Sequence, residues 1–488
     1  MNTSRQVLVG GIIGLVFLIA FGLFLSDIGL ELDLDEVKPI VHDDDYVVEK
    51  FVTGLNHPIT MTFVGKDILA LEKNTGKVIR IQANGVVSDL VLDLPVSSAI
   101  EDGLLGITSV SNNVYLYFTK SLSDSNEYED EDVMTFFILL DLNGEKLTNP
   151  ILVKELPKNL AQVHHGGAMT KGLNNEVYLY INGAWVQNIP VKTVLETGNI
   201  VKIDTEGDNN VELVAMGIRN SFGLAVDPVT GYLWNTEFFC PQPQPLGICY
   251  VAYHTDELGA YNENEPGTFD KINLVKPNNE QEFSWHNSIT PTALAFPNSS
   301  FGKHSDSLFV GDFVNGRIYK FQLNADRTEF VFSNPGLADL MLDDNDKVDE
   351  ILFAEFEFDE HGGVTDIEFH DGAMYVVSIF DGSIYKIYSK ELVEEKKKWN
   401  AEILKLLKTR MGVEYVNLSN IDFRGINFDN VNISNVDFTR ANLSHVDLSS
   451  QNITGTILTG ANLSNANLTG VDLSGKDLTG TRLTDVDL

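Results

Sequence analysis

The spacing of apolar and polar positions divides the chain into regions of different character. Residues Val7 to Leu25 ("VLVGGIIGLVFLIAFGLFL") form one uncharged apolar run, long enough to cross a bilayer as a helix. From Tyr46 to about residue 390 the pattern changes to short alternating runs broken by Asn, Asp and Gly, the mark of strands joined by tight turns. Six stretches there share one plan, an alternating run, a turn and a second strand: "HPITMTFVGKDILALEKNTGKVIRI" from His57, "GLLGITSVSNNVYLYFTK" from Gly103, "HHGGAMTKGLNNEVYLYING" from His164, "IRNSFGLAVDPVTGYLWNTE" from Ile218, "TPTALAFPNSSFGKHSDSLFVGDFVNGRIYKFQL" from Thr290 and "GGVTDIEFHDGAMYVVSIFDGSIYKIY" from Gly362. Such loose repetition predicts a six-bladed β-propeller, with "YVVEKFV" (Tyr46 to Val52) placed to close the ring against the last blade.

After Glu391 the stretch "ELVEEKKKWNAEILKLLKTRMG" sets Trp399, Ile403, Leu404 and Leu407 at helical spacing. This predicts an amphipathic helix packed across a domain junction. From Leu418 a large apolar residue then returns at every fifth position, through Phe423, Phe428, Ile433 and Phe438 to Leu488, and a small or β-branched residue such as Val416, Ala441, Ala461 or Val471 stands two places before. Neither a helix nor a strand has that period. A solenoid that turns a corner at each repeat, with apolar ladders stacked inside, accounts for it. The expected class is therefore all-β, in five parts: a cytoplasmic tip and transmembrane helix (1–30), an acidic linker (31–45), the propeller (46–390), a linker helix (391–412) and the solenoid (413–488).

Charge sharpens this picture. Thirty-four basic side chains face seventy acidic ones, a formal net charge of −36, which excludes nucleic acid as a partner of the surface. Arg5 precedes the apolar run, while Asp27, Glu31, Asp33, Asp35 and Glu36 follow it. Positive residues stay inside, so the N-terminus is expected in the cytoplasm and the bulk outside it, on a single-pass anchor. A cleaved signal peptide is the competing reading; the run is long for one, and no small-x-small cleavage site follows. The two cysteines, Cys240 and Cys249 in "FFCPQPQPLGICY", are expected to oxidise outside the membrane and staple this Pro-rich loop, a gain of about 2.5 kcal/mol from loop closure.

Two resemblances to known families add function. The five-residue period resembles the pentapeptide-repeat family, A(D/N)LxX, which implies a right-handed quadrilateral β-helix with four repeats per coil. Its last ladder residue has no cap, and a homodimer through this end is the expectation. In the propeller, "GLLGI" (Gly103 to Ile107), "HHGG" (His164 to Gly167) and "GIRNSFGLAVDPVTGYLW" (Gly217 to Trp234) resemble, in order and spacing, the motifs of the glucose/sorbosone dehydrogenase family, the soluble PQQ-dependent sugar dehydrogenases and their relatives. "DKINLVKPNNEQEFSW" (Asp270 to Trp285) is a weaker match. The resemblance implies oxidation of an aldose, with PQQ and calcium as cofactors. It places the general base on His164, sets Arg219 and Asn220 beside the cofactor, puts Glu101 in the sugar pocket, and gives cofactor-side positions to Glu237 and Asp270. His165 is expected to point away from the pocket, because side chains alternate along a strand.

The chain also departs from the family pattern. The expected calcium-holding sequence after "TE" is replaced by Phe238, Phe239 and Cys240; a lysine position is held by Val314; and two arginine positions are held by Gly363 and Thr365. PQQ carries three carboxylates, and burying them without cations costs several kcal/mol for each unpaired charge. Two functions follow from the sequence. One is a membrane-anchored, extracytoplasmic PQQ-type sugar dehydrogenase. The other is a non-catalytic propeller and solenoid that binds a glycan or a protein.

Overall fold

The computed structural model describes residues 38–98, 102–121, 133–143, 146–156, 166–181, 198–205, 209–216, 218, 221–237, 270–276, 282–285, 290–338, 340–342, 345–357, 363–409 and 415–488 except 425. The apolar run 7–25 lies outside them, as does the pair Cys240 and Cys249. Among the described residues no helix is long and apolar enough to cross a membrane.

The fold is an all-β propeller, with one α-helix among the described residues, followed by a solenoid. Six sheets of four or five strands are arranged around an axis. Their innermost strands are Pro58–Val64, Leu104–Val110, Gly166–Lys171, Leu224–Val226, Pro291–Ala295 and Val364–His370, and the sheets are numbered here in that order. Each inner strand packs on the next, and the sixth packs on the first. Each of the six quoted stretches supplies the inner strand and the second strand of one sheet. The strand Tyr46–Val52 pairs antiparallel with Ser383–Ser389 and completes sheet 6, so a strand from before sheet 1 is built into the last sheet. Sheet 5 gains an extra edge strand, Lys38–Val41, on Leu352–Glu357. Sheet 4 gains Met341–Leu342 in parallel on Glu282–Trp285.

Coverage on both faces explains the core. Second strands such as Asp67–Glu72, Ser307–Asp312 and Ala373–Ser378 are buried at every position, as expected of strands covered on both faces. Glycine lets the inner strands meet. A Cβ on Gly106 of "GLLG" would stand 2.0 Å from the carbonyl oxygen of Gly167 of "HHGG", and Gly167 itself has φ 105°, a conformation glycine adopts without strain. Sheets 2 and 3 therefore touch backbone to backbone.

The helix Lys390–Thr409 follows sheet 6 directly. Ile403 and Leu407 are buried against the solenoid core, with Leu404 partly so. Trp399 departs from the expected apolar face: its side chain is 50% exposed, because the neighbouring Asn400 takes the inward position and donates from Nδ2 to the carbonyl oxygen of Asp422 at 2.8 Å.

In the solenoid each backbone bridge joins residues twenty positions apart, Val416 to Val436, Asp422 to Asn442 and Asn442 to Asn462. Four five-residue repeats thus make one coil. The ladder from Leu418 to Leu468 is buried, with Phe423, Phe428 and Phe438 in edge-on contact. Leu483 and Leu488 are 39% and 79% exposed. A polar residue before most ladder positions turns the corner: Asp437, Asn442 and Asn462 accept the N–H two residues on, at 2.8, 3.2 and 3.1 Å. These are Asx turns, which give the repeat its Asp/Asn preference.

The solenoid is seated on the propeller by polar contacts. Asn84, at the tip of the hairpin between Lys77–Ile81 and Val87–Asp93, donates from Nδ2 to the carbonyl oxygens of Ala441 (3.3 Å) and Gly460 (3.0 Å). The buried carboxylate of Asp67 binds Arg80 at 2.6 Å and Arg440 at 3.0 Å. Arg424 joins Glu49 of sheet 6 to Asp422 of the solenoid.

Two outcomes follow. Asp67→Ala leaves two guanidinium groups without their shared carboxylate, a loss of about 3–5 kcal/mol for a buried pair; hydrogen exchange by mass spectrometry should show faster exchange in residues 436–462, with sheets 2 to 5 unchanged. Phe438→Ala, at a fully buried ladder position, should cost about 3–5 kcal/mol and lower the melting of the solenoid by calorimetry.

Candidate functional site

Each sheet is a meander that begins at its inner strand, so the segments entering the inner strands open on one end of the ring, here called the mouth. Hydrogen bonds between sheets tie this end together. Leu104 N–H donates to the carbonyl oxygen of Lys73 (2.9 Å), Gly363 N–H to Phe313 (2.6 Å) and Leu55 N–H to Gly382 (2.9 Å). The three motif segments enter the inner strands of sheets 2, 3 and 4, one after another.

His164, Arg219, Asn220 and Glu101 lie outside the described residues, two to five positions before those strands. Glu237 and Asp270 are described by backbone alone and are brought together: Glu237 pairs with Lys271, next to Asp270, which itself pairs with Trp285. Much of the long motif is structural. Asp227 is fully buried and accepts from Arg327 Nε at 2.5 Å, tying sheet 4 to sheet 5.

The described wall of sheets 5 and 6 bears on the cofactor. In "DFVNG" the buried carboxylate of Asp312 accepts from the N–H groups of Thr290, Val314 and Asn315, from Asn315 Nδ2 and from Tyr319 Oη, at 2.6 to 3.3 Å. Burial nevertheless pushes its carboxyl above the usual range. Val314 therefore contributes a turn N–H where the family has a lysine. Phe313 and Phe380 pack with ring centres 5.4 Å apart. Gly363 has φ 109°, and a Cβ there would stand 2.6 Å from Phe380 Cδ2. No arginine fits at that position. Thr365 is buried, its hydroxyl near the carbonyl oxygen of Val377. Around Gly363 this wall holds the packed Phe313 and Phe380 rings and a buried carboxylate, with no cation at Val314, Gly363 or Thr365, and such a set does not fit a tricarboxylate quinone. The sequence shows which residues are replaced; the ring that fills the space of Gly363 comes from the neighbouring turn and has no sequence signal.

Sheet 1 supplies the polar side of the mouth. Glu72 is buried and accepts from Asn56 N–H and Thr75 Oγ1, both at 2.8 Å. Next to it lie His57 and Lys73, and Lys73 N–H donates to the carbonyl oxygen of His57 at 3.1 Å. Sequence reasoning passed over both; the signal was the pair His57–Pro58, which restricts the backbone before proline.

Where sheet 6 meets sheet 1, Asp366 accepts from Thr60 Oγ1 and Met61 N–H, each at 2.9 Å. Burial pushes its carboxyl up to about 6. Glu368, two residues on along the same strand, is raised well above the usual range by burial and by the charge of Asp366.

Comparison with known proteins fits this geometry. The sequence profile of the Glucose / Sorbosone dehydrogenase family matches residues 55–241, and that of the Pentapeptide repeats matches eight copies over residues 415–450 and 452–485. The chain carries a sugar dehydrogenase-type propeller joined to a pentapeptide-repeat solenoid. An uncharacterized protein of Synechocystis sp. (strain ATCC 27184 / PCC 6803 / Kazusa) is 22% identical over 325 residues, covering 56% of this chain and 74% of that one. A solved glucose dehydrogenase is similar in structure with a TM-score of 0.51 at 19% identity, over 70% of this chain and 98% of that one. A second glucose dehydrogenase structure gives a TM-score of 0.50 at 19% identity, over 70% and 99%. At this identity the likeness shows the fold, and it spans nearly all of each enzyme but leaves about a third of this chain unmatched.

Two predictions test the wall and the sheet 6–sheet 1 seam. Gly363→Ala should cost about 1–3 kcal/mol, because a side chain at this φ is strained and strikes Phe380; pairing it with Phe380→Ala should restore only the steric part, read as melting temperature. Asp366 has a folded value above its unfolded one, so its contribution to stability is complete below about pH 4 and is lost as pH rises through about 6. Asp366→Asn should leave the melting temperature unchanged at pH 4 and raise it at pH 8, by about 1–3 kcal/mol in stability.

Proposed function

We propose that the protein is a membrane-anchored, extracytoplasmic, carbohydrate-directed propeller of the sugar dehydrogenase type, with each of the six sheets as one blade. The observation that supports this is that the strands following "GLLG", "HHGG" and "GIRN" are three consecutive inner strands of the ring, the order in which the family resemblance sets its sugar-site motifs. The composition of the wall favours recognition of a neutral saccharide over redox chemistry: Phe313 and Phe380 stand beside Gly363 where the quinone would need cations. Phenyl rings suit the C–H faces of a sugar ring.

Strand direction supports an orientation. The edge strand Lys38–Val41 runs in the same sense as the inner strand Pro291–Ala295, through a series of antiparallel pairings. It therefore starts toward the mouth. The chain from Leu25 to Lys38 reaches at most about 45 Å, which keeps the mouth near the bilayer and sets the solenoid on the far side. The ligand of such a site is a saccharide at or near the membrane surface.

A second reading is favoured by the order of the motifs: aldose oxidation, with His164 as general base. One experiment separates the two. The full chain is titrated with neutral mono- and oligosaccharides by calorimetry, with and without PQQ and calcium, and dye reduction is followed in parallel. The expected result is binding heat that does not change on adding PQQ and calcium, with dye reduction at background. PQQ-dependent dye reduction would establish oxidation instead, and absence of heat with every saccharide would remove the carbohydrate reading.

A further inference from the structure

His57 is held in an unusual way. Its φ is 50°, in the left-handed region uncommon for non-glycine residues, histidine being among those that enter it more often, and it precedes Pro58, whose ring disfavours helical backbone at that position. Strain of this kind persists only where the surroundings impose it, and it gathers at binding sites and active sites. Here Lys73 N–H grips the carbonyl oxygen of His57 at 3.1 Å, and Leu104 N–H grips that of Lys73 at 2.9 Å. His57 is thereby fixed one strand away from the "GLLG" segment, on the polar side of the mouth.

The ring is also defined. Asn56 Oδ1 can only accept, so the 2.6 Å contact makes His57 Nδ1 the donor. Nε2 is then the lone-pair nitrogen, and no described residue hydrogen-bonds to it. Burial, together with the charge of Lys73, lowers the pKa of the imidazole against the opposing pull of Glu72, so it stays neutral at physiological pH. The other histidines paired by Nε2 differ: His304 meets Asp43 at 2.6 Å and His42 meets Glu355 at 3.0 Å.

We infer that His57 is a ligand-binding residue of the mouth, whose Nε2 accepts a hydrogen bond from a hydroxyl group of the bound ligand. The inference deepens the saccharide reading above and rests on it. A hydroxyl donor completes the one open valence of the ring, and the imposed backbone holds that nitrogen in place before the ligand arrives, so little ordering is required on binding.

The test combines chemical labelling with binding. Diethyl pyrocarbonate attacks an unprotonated, unpaired imidazole nitrogen. In the full chain at pH 6, mass spectrometry should show His57 modified faster than His42 or His304, and a saccharide that gives binding heat should slow its modification. His57→Asn and His57→Gly both accept a positive φ, so the fold is kept; each should weaken saccharide binding about tenfold, the loss of one hydrogen bond of about 1.4 kcal/mol. Modification of His57 no faster than His304, or saccharide binding that neither protects His57 nor weakens in these variants, overturns the inference while leaving the saccharide reading intact. No binding heat with any saccharide overturns both.

Discussion

Closure of the ring is the constraint on which the rest depends. A strand from before sheet 1, Tyr46–Val52, is captured by the last sheet, and ring closure gives the inner strands of sheets 1 and 6 their second neighbour. Tyr46 then reaches across to sheet 5, donating from its hydroxyl to the carbonyl oxygen of Phe301 at 2.6 Å and packing against Phe353. The seam it creates is an apolar cluster of both sheets with one polar clasp, Asp366 holding Thr60 and Met61. Elsewhere in the ring, sheets 2 and 3 meet at their inner strands through bare backbone at Gly106 and Gly167. Specificity at the seam thus comes from a carboxylate with defined partners, and closeness elsewhere comes from the lack of side chains.

The mouth inherits its character from this closure. Its inner strands are fixed, so variation is confined to the turns and entry segments around them. On sheets 5 and 6 those turns carry Phe313 and Phe380 over a buried Asp312. On sheet 1 they carry His57, Glu72 and Lys73. One side is aromatic and the other hydrogen-bonding, a division that matches a ring sugar better than a flat trianion.

Much of this was legible in the sequence, and the exceptions share a cause. The paired strands, the closing strand Tyr46–Val52 and the five-residue ladder were read from local period, which is a local property. Trp399 was placed on the buried face by the same logic, yet Asn400 holds the inward position through its bond to Asp422; helical spacing marks a stripe but does not say which neighbour lies beneath it. The seat of the solenoid was invisible for a stronger reason. Asn84 meets the carbonyl groups of residues more than three hundred positions away, and a single amide side chain in a turn carries no sign of that. The loss of cations at Val314 and Gly363 could be read directly, whereas the identity of Phe380 as the group that replaces them depends on the packing of two adjacent turns.

The peg formed by Asn84, with the Asp67 and Glu49 ion pairs on either side, has a mechanical meaning. A coil stack hung from one helix would swing freely and transmit nothing. Gripped at three points, the stack is tied to sheets 1 and 6 together. Traction on its outer coils would therefore reach sheets 1 and 6, the two that meet where the ring shuts, from the end away from the mouth.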